Sequence, residues 1–159
     1  MIVGTGIDVV DIGRIESVLA RQGQRFVRRI LTPEEIAVYE QMARGRKIQY
    51  LAGRFAIKEA VAKAFGTGIG GRIGWQDVMT GQDNGRPTAV LSKAARQRWQ
   101  QFPGLARFFG TADGPGSLEP NIWESLFIHV SLSHERCLLV AQAVVEWNAR
   151  WIACGDRLA

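Results

Sequence analysis

The sequence has no apolar run approaching the ~18 residues needed to cross a membrane. Its most apolar stretch, Cys137 to Val145, is interrupted by Gln142. Only two cysteines are present, Cys137 and Cys154. They form neither a CxxC pair nor a zinc-ligand spacing, which excludes a disulfide scaffold. The start, Met1-Ile2-Val3-Gly4, lacks the basic residues of a secretory signal. The expectation is a reduced, cytoplasmic protein with no membrane span. No Walker loop and no GxSxG elbow occurs, and the two histidines, His129 and His134, do not have HExxH spacing. Internal repeats and low-complexity tracts are also missing.

What is present is ordinary globular material in quantity for one domain: 159 residues, 47% hydrophobic and 22% charged. The charge is uneven. Twenty Lys and Arg against fifteen Asp and Glu give a net +5, with a pI near 9.8. Residues 12–31 hold Arg14, Arg21, Arg25, Arg28 and Arg29 against Glu16 alone, and residues 44–63 hold six basic groups against Glu59 alone. Such segments suit an anionic partner: a nucleic acid, a phosphorylated cofactor or an acidic protein. A solvated basic surface is the plainer reading.

Alternation predicts a strand over residues 2–10, with Val3, Ile7 and Val9 on one face and Gly4, Gly6 and Asp8 on the other. Asp11 is placed to cap a helix ending near Gly23, and a short helical piece carries Phe26 and Ile30. Thr32-Pro33-Glu34-Glu35 is a capping box with proline at the first helical position. A long helix is expected over residues 47–65, stopped by Gly66. Strands follow over 73–80 and 88–91, joined by the turn Asp83-Asn84-Gly85-Arg86-Pro87, and Ser92 starts a helix reaching residue 101. Strands over 126–133 and 136–146 complete the pattern. The fold class is α+β, an antiparallel sheet packed with a long central helix.

Asp8 is a carboxylate in an apolar strand, and a buried charge needs a cation or hydrogen-bond donors. Gly4 and Gly6 beside it suggest clear space above that face; a salt bridge to Arg14 is the structural alternative. Glu59 has Lys63 one turn on, about 6 Å along the axis, where a surface i,i+4 pair is the commonest arrangement. A lone carboxylate among basic groups equally suits magnesium bridging protein and phosphate, and Asp8 with Glu59 would supply that pair. Residues 66–71 fit GxGxxG, but they follow a helix and precede a strand, the reverse of a dinucleotide-binding turn. Either a phosphate-approaching loop or a plain connection fits them. In residues 128–134, His129, Ser131 and Ser133 alternate with Ile128, Val130 and Leu132, and His134 ends the strand.

Taken in order, these motifs resemble the holo-acyl-carrier-protein synthases, bacterial 4'-phosphopantetheinyl transferases of fatty acid synthesis. The pieces are Gly4-x-Gly6-x-Asp8 followed by Arg14, then Arg25-Phe26 with Arg28 to Thr32, then Tyr50 to Gly68 containing Phe55-x-x-Lys58-Glu59-x-x-x-Lys63-Ala64, then Asn84 to Pro87 and His129 to His134. The resemblance implies Mg²⁺ held by Asp8 and Glu59, with Lys63 as a third catalytic group and coenzyme A as donor. Arg46, Lys47, Arg54, Lys63, Gly66, Gly68 and His134 would line the donor's phosphates. The acceptor is a serine of apo-acyl carrier protein, an acidic partner, and adenosine 3',5'-bisphosphate leaves. The general base is Asp8, directly or through a metal-bound water, or a histidine. The family implies a homotrimer with shared sites, and carrier docking on Arg14, Arg21, Arg25, Phe26 and Arg28. A continuous helix would set those arginines near one stripe.

Residues 1–146 are then the transferase domain. Two stretches exceed the compact family pattern: an insertion over 100–125, rich in proline and glycine, and an extension over 147–159. Trp99, Trp123, Trp147 and Trp151 lie in or beside them, leaving Trp75 for the core. A basic nucleic-acid-binding module and a catalytically idle member of the fold are the alternatives. The first has no reading motif, and intact Asp8, Glu59 and Lys63 weigh against the second.

Overall fold

The computed structural model describes residues 1–100 and 122–148. Five strands, β1 (Ile2–Asp11), β2 (Val78–Asp83), β3 (Arg86–Leu91), β4 (Leu126–Glu135) and β5 (Leu138–Trp147), form one antiparallel sheet in the order β1-β5-β4-β3-β2. Among the described residues the α-helices are α1 (Ile12–Gln22), α2 (Gln24–Ile30), α3 (Pro33–Gln41), α4 (Arg44–Ala64) and α5 (Lys93–Gln100). The fold is the expected α+β arrangement, with α4 across the sheet. Trp147 ends β5, where it exchanges backbone hydrogen bonds with Met1. Residues 101–121 of the expected insertion and 149–159 of the expected extension lie outside the described residues.

The expected caps are present. Asp11 Oδ1 accepts from Arg14 N–H at 3.2 Å, and Ser92 Oγ from Ala95 N–H at 3.1 Å. The Thr32–Glu35 capping box closes in both directions. One expectation shifts: the strand predicted from residue 73 begins at Val78, because Trp75–Asp77 forms a 3-10 turn first. The first helix ends at Gly23 as expected, at a φ of +55° where glycine is favoured, so α1 and α2 are separate helices and the arginines lie on no continuous stripe.

β1 carries Ile7 and Val9 outward and Val10 inward. Ile7 and Val9 are 59% and 58% exposed, while the glycine face meets α4. A Cβ at Gly4 would lie 2.0 Å from the Ala64 carbonyl oxygen, and one at Gly6 2.0 Å from that of Ala60. The space expected above Asp8 is therefore occupied by helix backbone. Small residues on both surfaces (Ala60 and Ala64 on α4, Ala141 and Ala143 on β5) permit the approach, and all are buried. Trp99 is also buried, packed edge-on against Phe65 at 5.0 Å and against Trp123 at 5.3 Å. Trp99 and Trp123, which lie in or beside the expected insertion, thus pack together on the end of α4.

Candidate active site

The contact of β1 with α4 sets the first group of site residues. Asp8 follows Gly6 on the helix-facing side of the strand, and Glu59 and Lys63 lie one turn apart on α4. Lys63 Nζ donates to Asp8 Oδ1 at 2.7 Å and to the Ile7 carbonyl at 3.1 Å. The pairing is thus across elements: Lys63 bonds Asp8, the partner expected for neither residue from spacing alone. Glu59 feels both. Burial, and then the charge of Asp8, push its carboxyl above the usual carboxylate range, while Lys63 opposes the shift.

Asp8 Oδ2 is buried and has no hydrogen-bond partner. A carboxylate oxygen out of water without a donor is unfavourable, as is a second carboxylate close by. Both costs fall if a cation sits between the two groups, so the donor set fits a hard divalent ion. Among the described residues no three His, Cys, Asp or Glu gather to hold a metal alone. An ion here would draw its remaining ligands from water or substrate oxygens, the habit of magnesium.

Arg46, Arg54 and His134 form a second group, lining a cavity of about 370 Å³ with Tyr50. Arg54 is 8% exposed, its guanidinium 4.6 Å from the Tyr50 ring centroid, and its Nε has no partner. Glu59 lies five residues beyond Arg54, about 140° around the helix, so the acidic cluster and the basic cavity occupy different flanks of α4. Lys47 stands apart from the cavity lining, with Nζ 5.2 Å from the Tyr39 ring centroid.

Gly66 and Gly68 have positive φ of 72° and 62°. Their N–H groups donate to the Lys63 and Ala62 carbonyls, as Thr67 N–H does to Ala62. These amides close the helix end rather than face a ligand, which corrects the picture of a loop of free N–H groups. What Gly66, Gly68 and Gly70 leave is clearance, since a Cβ on any of them would meet nothing within 4 Å.

Arg14, Arg21, Arg25 and Arg28 are all exposed on α1 and α2. Phe26 is 7% exposed and belongs to the core, so it offers a partner no surface. His129 and His134 are parted by the strand. His129 lies on the open sheet face, 2.9 Å from Glu146, while His134 turns to the cavity. Lys58 and Glu35, which the sequence marks only as a motif residue and a helix cap, are joined in the core: Lys58 Nζ and Glu35 Oε2 lie 2.7 Å apart, both buried. Lysine within a basic run carries no signal of burial.

Residues 4–112 match the family model of the 4'-phosphopantetheinyl transferase superfamily, ACPS. The chain is 38% identical over 151 residues to the holo-[acyl-carrier-protein] synthase of Bacillus velezensis, covering 94% of this chain and all of that one. It is 40% identical over 147 residues to the Geobacillus kaustophilus enzyme of the same name, covering 92% and 90%. The fold matches the crystal structure of the Neisseria meningitidis holo-[acyl-carrier-protein] synthase with a TM-score of 0.70 at 33% identity, covering 92% of this chain and 99% of that one. It also matches the Bacillus anthracis enzyme in complex with CoA (3',5'-ADP), with a TM-score of 0.67 at 32% identity over 93% and 99%. With Asp8, Glu59 and Lys63 drawn together on a shared fold, the chain belongs to the 4'-phosphopantetheinyl transferase superfamily, among the holo-[acyl-carrier-protein] synthases.

Proposed function

We propose that this enzyme transfers 4'-phosphopantetheine from coenzyme A to a serine of apo-acyl carrier protein in a Mg²⁺-dependent reaction, at a site completed by a second copy of the chain. The observation that carries the reading is the Asp8–Glu59–Lys63 cluster with its unpartnered Asp8 oxygen. The serine oxygen bonds to the β-phosphorus of coenzyme A, the bond to the bridging oxygen breaks, and adenosine 3',5'-bisphosphate leaves with the electron pair. Asp8 and Glu59 would hold the metal, which when bound neutralises diphosphate charge. Lys63, 45% exposed at its side chain and anchored on Asp8, extends positive charge to the same place. The serine proton passes to Asp8 or to the His134 that the second copy brings beside it; within one protomer neither histidine joins the cluster. Membership of an enzyme family displaces the nucleic-acid-binding alternative.

The test is mass spectrometry of apo-acyl carrier protein after incubation with enzyme, CoA and magnesium. A gain of one phosphopantetheine is expected, and none in EDTA. An unmodified carrier under saturating CoA and metal would end the proposal.

The acidic cluster and the basic cavity lie on different flanks of α4, and the open sheet face leaves Ile7, Val9, Leu138, Val90 and Met79 exposed. Apolar area of that kind favours burial against another surface. The homotrimer implied by family resemblance supplies one, setting the Arg46–Arg54–His134 cavity of one copy beside the Asp8 cluster of the next. Glu59→Gln and Arg54→Ala variants, each deficient alone, are expected to regain activity when mixed as unfolded chains and refolded together. Activity of the mixture no higher than the sum of the two would mean that each protomer works alone.

The exposed arginines of α1 and α2 suit the acidic surface of the carrier. Arg14→Glu is expected to raise the KM for carrier about five- to ten-fold with little change for CoA. Wild-type association should weaken with salt, since exposed charges are screened beyond ~8 Å at physiological ionic strength. Equal losses for CoA and carrier would place Arg14 in the donor site or the fold instead.

A further inference from the structure

The loop at residues 66–71 has four glycines, so ordering it costs more chain entropy than ordering most loops of its length. Its own hydrogen bonds do not span it: the first amides close α4, and Gly70 N–H reaches the Ile73 carbonyl. Both borders are instead held from outside by adjacent residues of α5. Trp99 Nε1 donates to the Phe65 carbonyl at 3.3 Å, at the entry to the loop. Arg98 Nε donates to the Arg72 carbonyl at 2.9 Å, at its exit.

Each of these donors is itself fixed. Trp99 is 2% exposed between Phe65 and Trp123, with Arg96 5.5 Å from the Trp123 ring centroid. The Arg98 guanidinium also pairs with Asp77. Asp77 in turn accepts from Gly74 N–H at 2.7 Å and Ser92 Oγ at 2.9 Å, and Ser92 caps α5. Burial alone would raise the Asp77 carboxyl, but these hydrogen bonds and the Arg98 charge outweigh it and hold it below its ordinary value. α5 is anchored in the core by Ala95 and Trp99, and its side-chain donors fall on the two borders of one loop.

We propose that Arg98 and Trp99 are positioning residues that grip both ends of the glycine loop, and through Phe65 hold the last turn of α4, with Lys63, in register against Asp8. The inference rests on the reading that this loop and Lys63 face coenzyme A. Neither residue touches the donor; their effect is to remove loop conformations that CoA would otherwise have to exclude on binding. The grip therefore acts on CoA affinity and leaves carrier docking alone.

Trp99→Phe keeps the ring contacts and deletes one N–H. Arg98→Lys keeps a cation for Asp77 and deletes the guanidinium Nε–H. Each is expected to raise the KM for CoA about three- to ten-fold, the fold-change matching one net hydrogen bond. The KM for carrier and kcat should stay within about two-fold, and amide exchange across residues 66–72 should quicken. In the double variant the two effects should not add, because releasing either border frees the loop. Gly68→Ala, strained at its positive φ, tests the underlying reading. If it leaves the KM for CoA unchanged, the loop does not face CoA, and the proposal falls with that reading. If Gly68→Ala raises that KM but Trp99→Phe and Arg98→Lys do not, the grip alone is overturned. Equal rises in both KM values with a lower Tm would reduce the pair to general stabilisers and overturn it as well.

Discussion

Glu59→Gln is expected to lower kcat about 10²- to 10³-fold in magnesium buffer without destabilising the metal-free protein. The expectation follows from the direction of the Glu59 shift. Its carboxyl is raised in the folded chain, by burial first and by Asp8 second. The native state therefore binds this proton more tightly than the unfolded chain does. The stability this group contributes is fully present below its ordinary value of 4.5, and is lost as pH rises through the higher folded value. Near neutral pH the ionised carboxylate is thus a burden on the metal-free fold, and glutamine removes the charge while keeping the shape. In EDTA at pH 7 to 8 the variant should melt at or above the wild-type temperature, and the difference should vanish in acid. Added Mg²⁺ should raise the wild-type Tm and leave that of the variant in place. Undiminished transfer by Glu59→Gln in magnesium buffer would remove Glu59 from the metal site.

The same cluster shows how far the sequence could be read. Asp8, Glu59 and Lys63 stood out because each is a charged group in a setting where charge needs an explanation, and the order of motifs gave them roles. That Lys63 bonds Asp8 rather than Glu59 was not legible, since the partner is 55 residues away and the contact depends on β1 meeting α4. Alternation separated Ile7 and Val9 from Gly4, Gly6 and Asp8, but it missed Val3, which packs against the core at the bulge between Ile2 and Gly4, and it carried no mark of which face was inward. Bulky Ile7 and Val9 look like core, yet the glycine face is the one that admits helix backbone. Phe26 failed in the opposite sense. Among five arginines it reads as a surface anchor, but the turn at Gly23 rotates it into the core. Helix caps were the most legible features because donor and acceptor lie within four residues of each other. The separation of Arg46, Arg54 and His134 from the acidic cluster follows from helix periodicity applied to α4, together with the position of β4 in the sheet order.

Lys58 is where a pattern of residue types misleads most and where a single change is expected to cost most stability. The residue lies in a basic segment, directly before Glu59, and is 0% exposed. Its three ammonium protons have three acceptors: Glu35 Oε2 at 2.7 Å, the Ile30 carbonyl at 2.7 Å and the Trp75 carbonyl at 3.0 Å. Glu35 is equally engaged, accepting from Thr32 N–H and Thr80 N–H, each at 2.9 Å, and from the Thr80 hydroxyl. Burial draws the lysine pKa down while the Glu35 charge opposes it. One ion pair thus ties the end of α2, the start of α3, the turn before β2 and β2 itself to the middle of α4. Lys58→Met fills similar volume but leaves a buried carboxylate uncompensated and two carbonyls without their donor. A loss of about 3–5 kcal/mol is expected in urea unfolding. Adding Glu35→Gln removes the stranded charge, so the double variant should be more stable than the sum of the single losses, by about 1 kcal/mol or more. Strictly additive losses would show that the two side chains do not act as a unit. Because Lys58 and Glu59 are consecutive, the network that anchors α4 also sets its rotation about its axis. Conditions that keep Lys58→Met folded, such as low temperature, should still show reduced stabilisation by Mg²⁺, because Glu59 is then less firmly presented to Asp8.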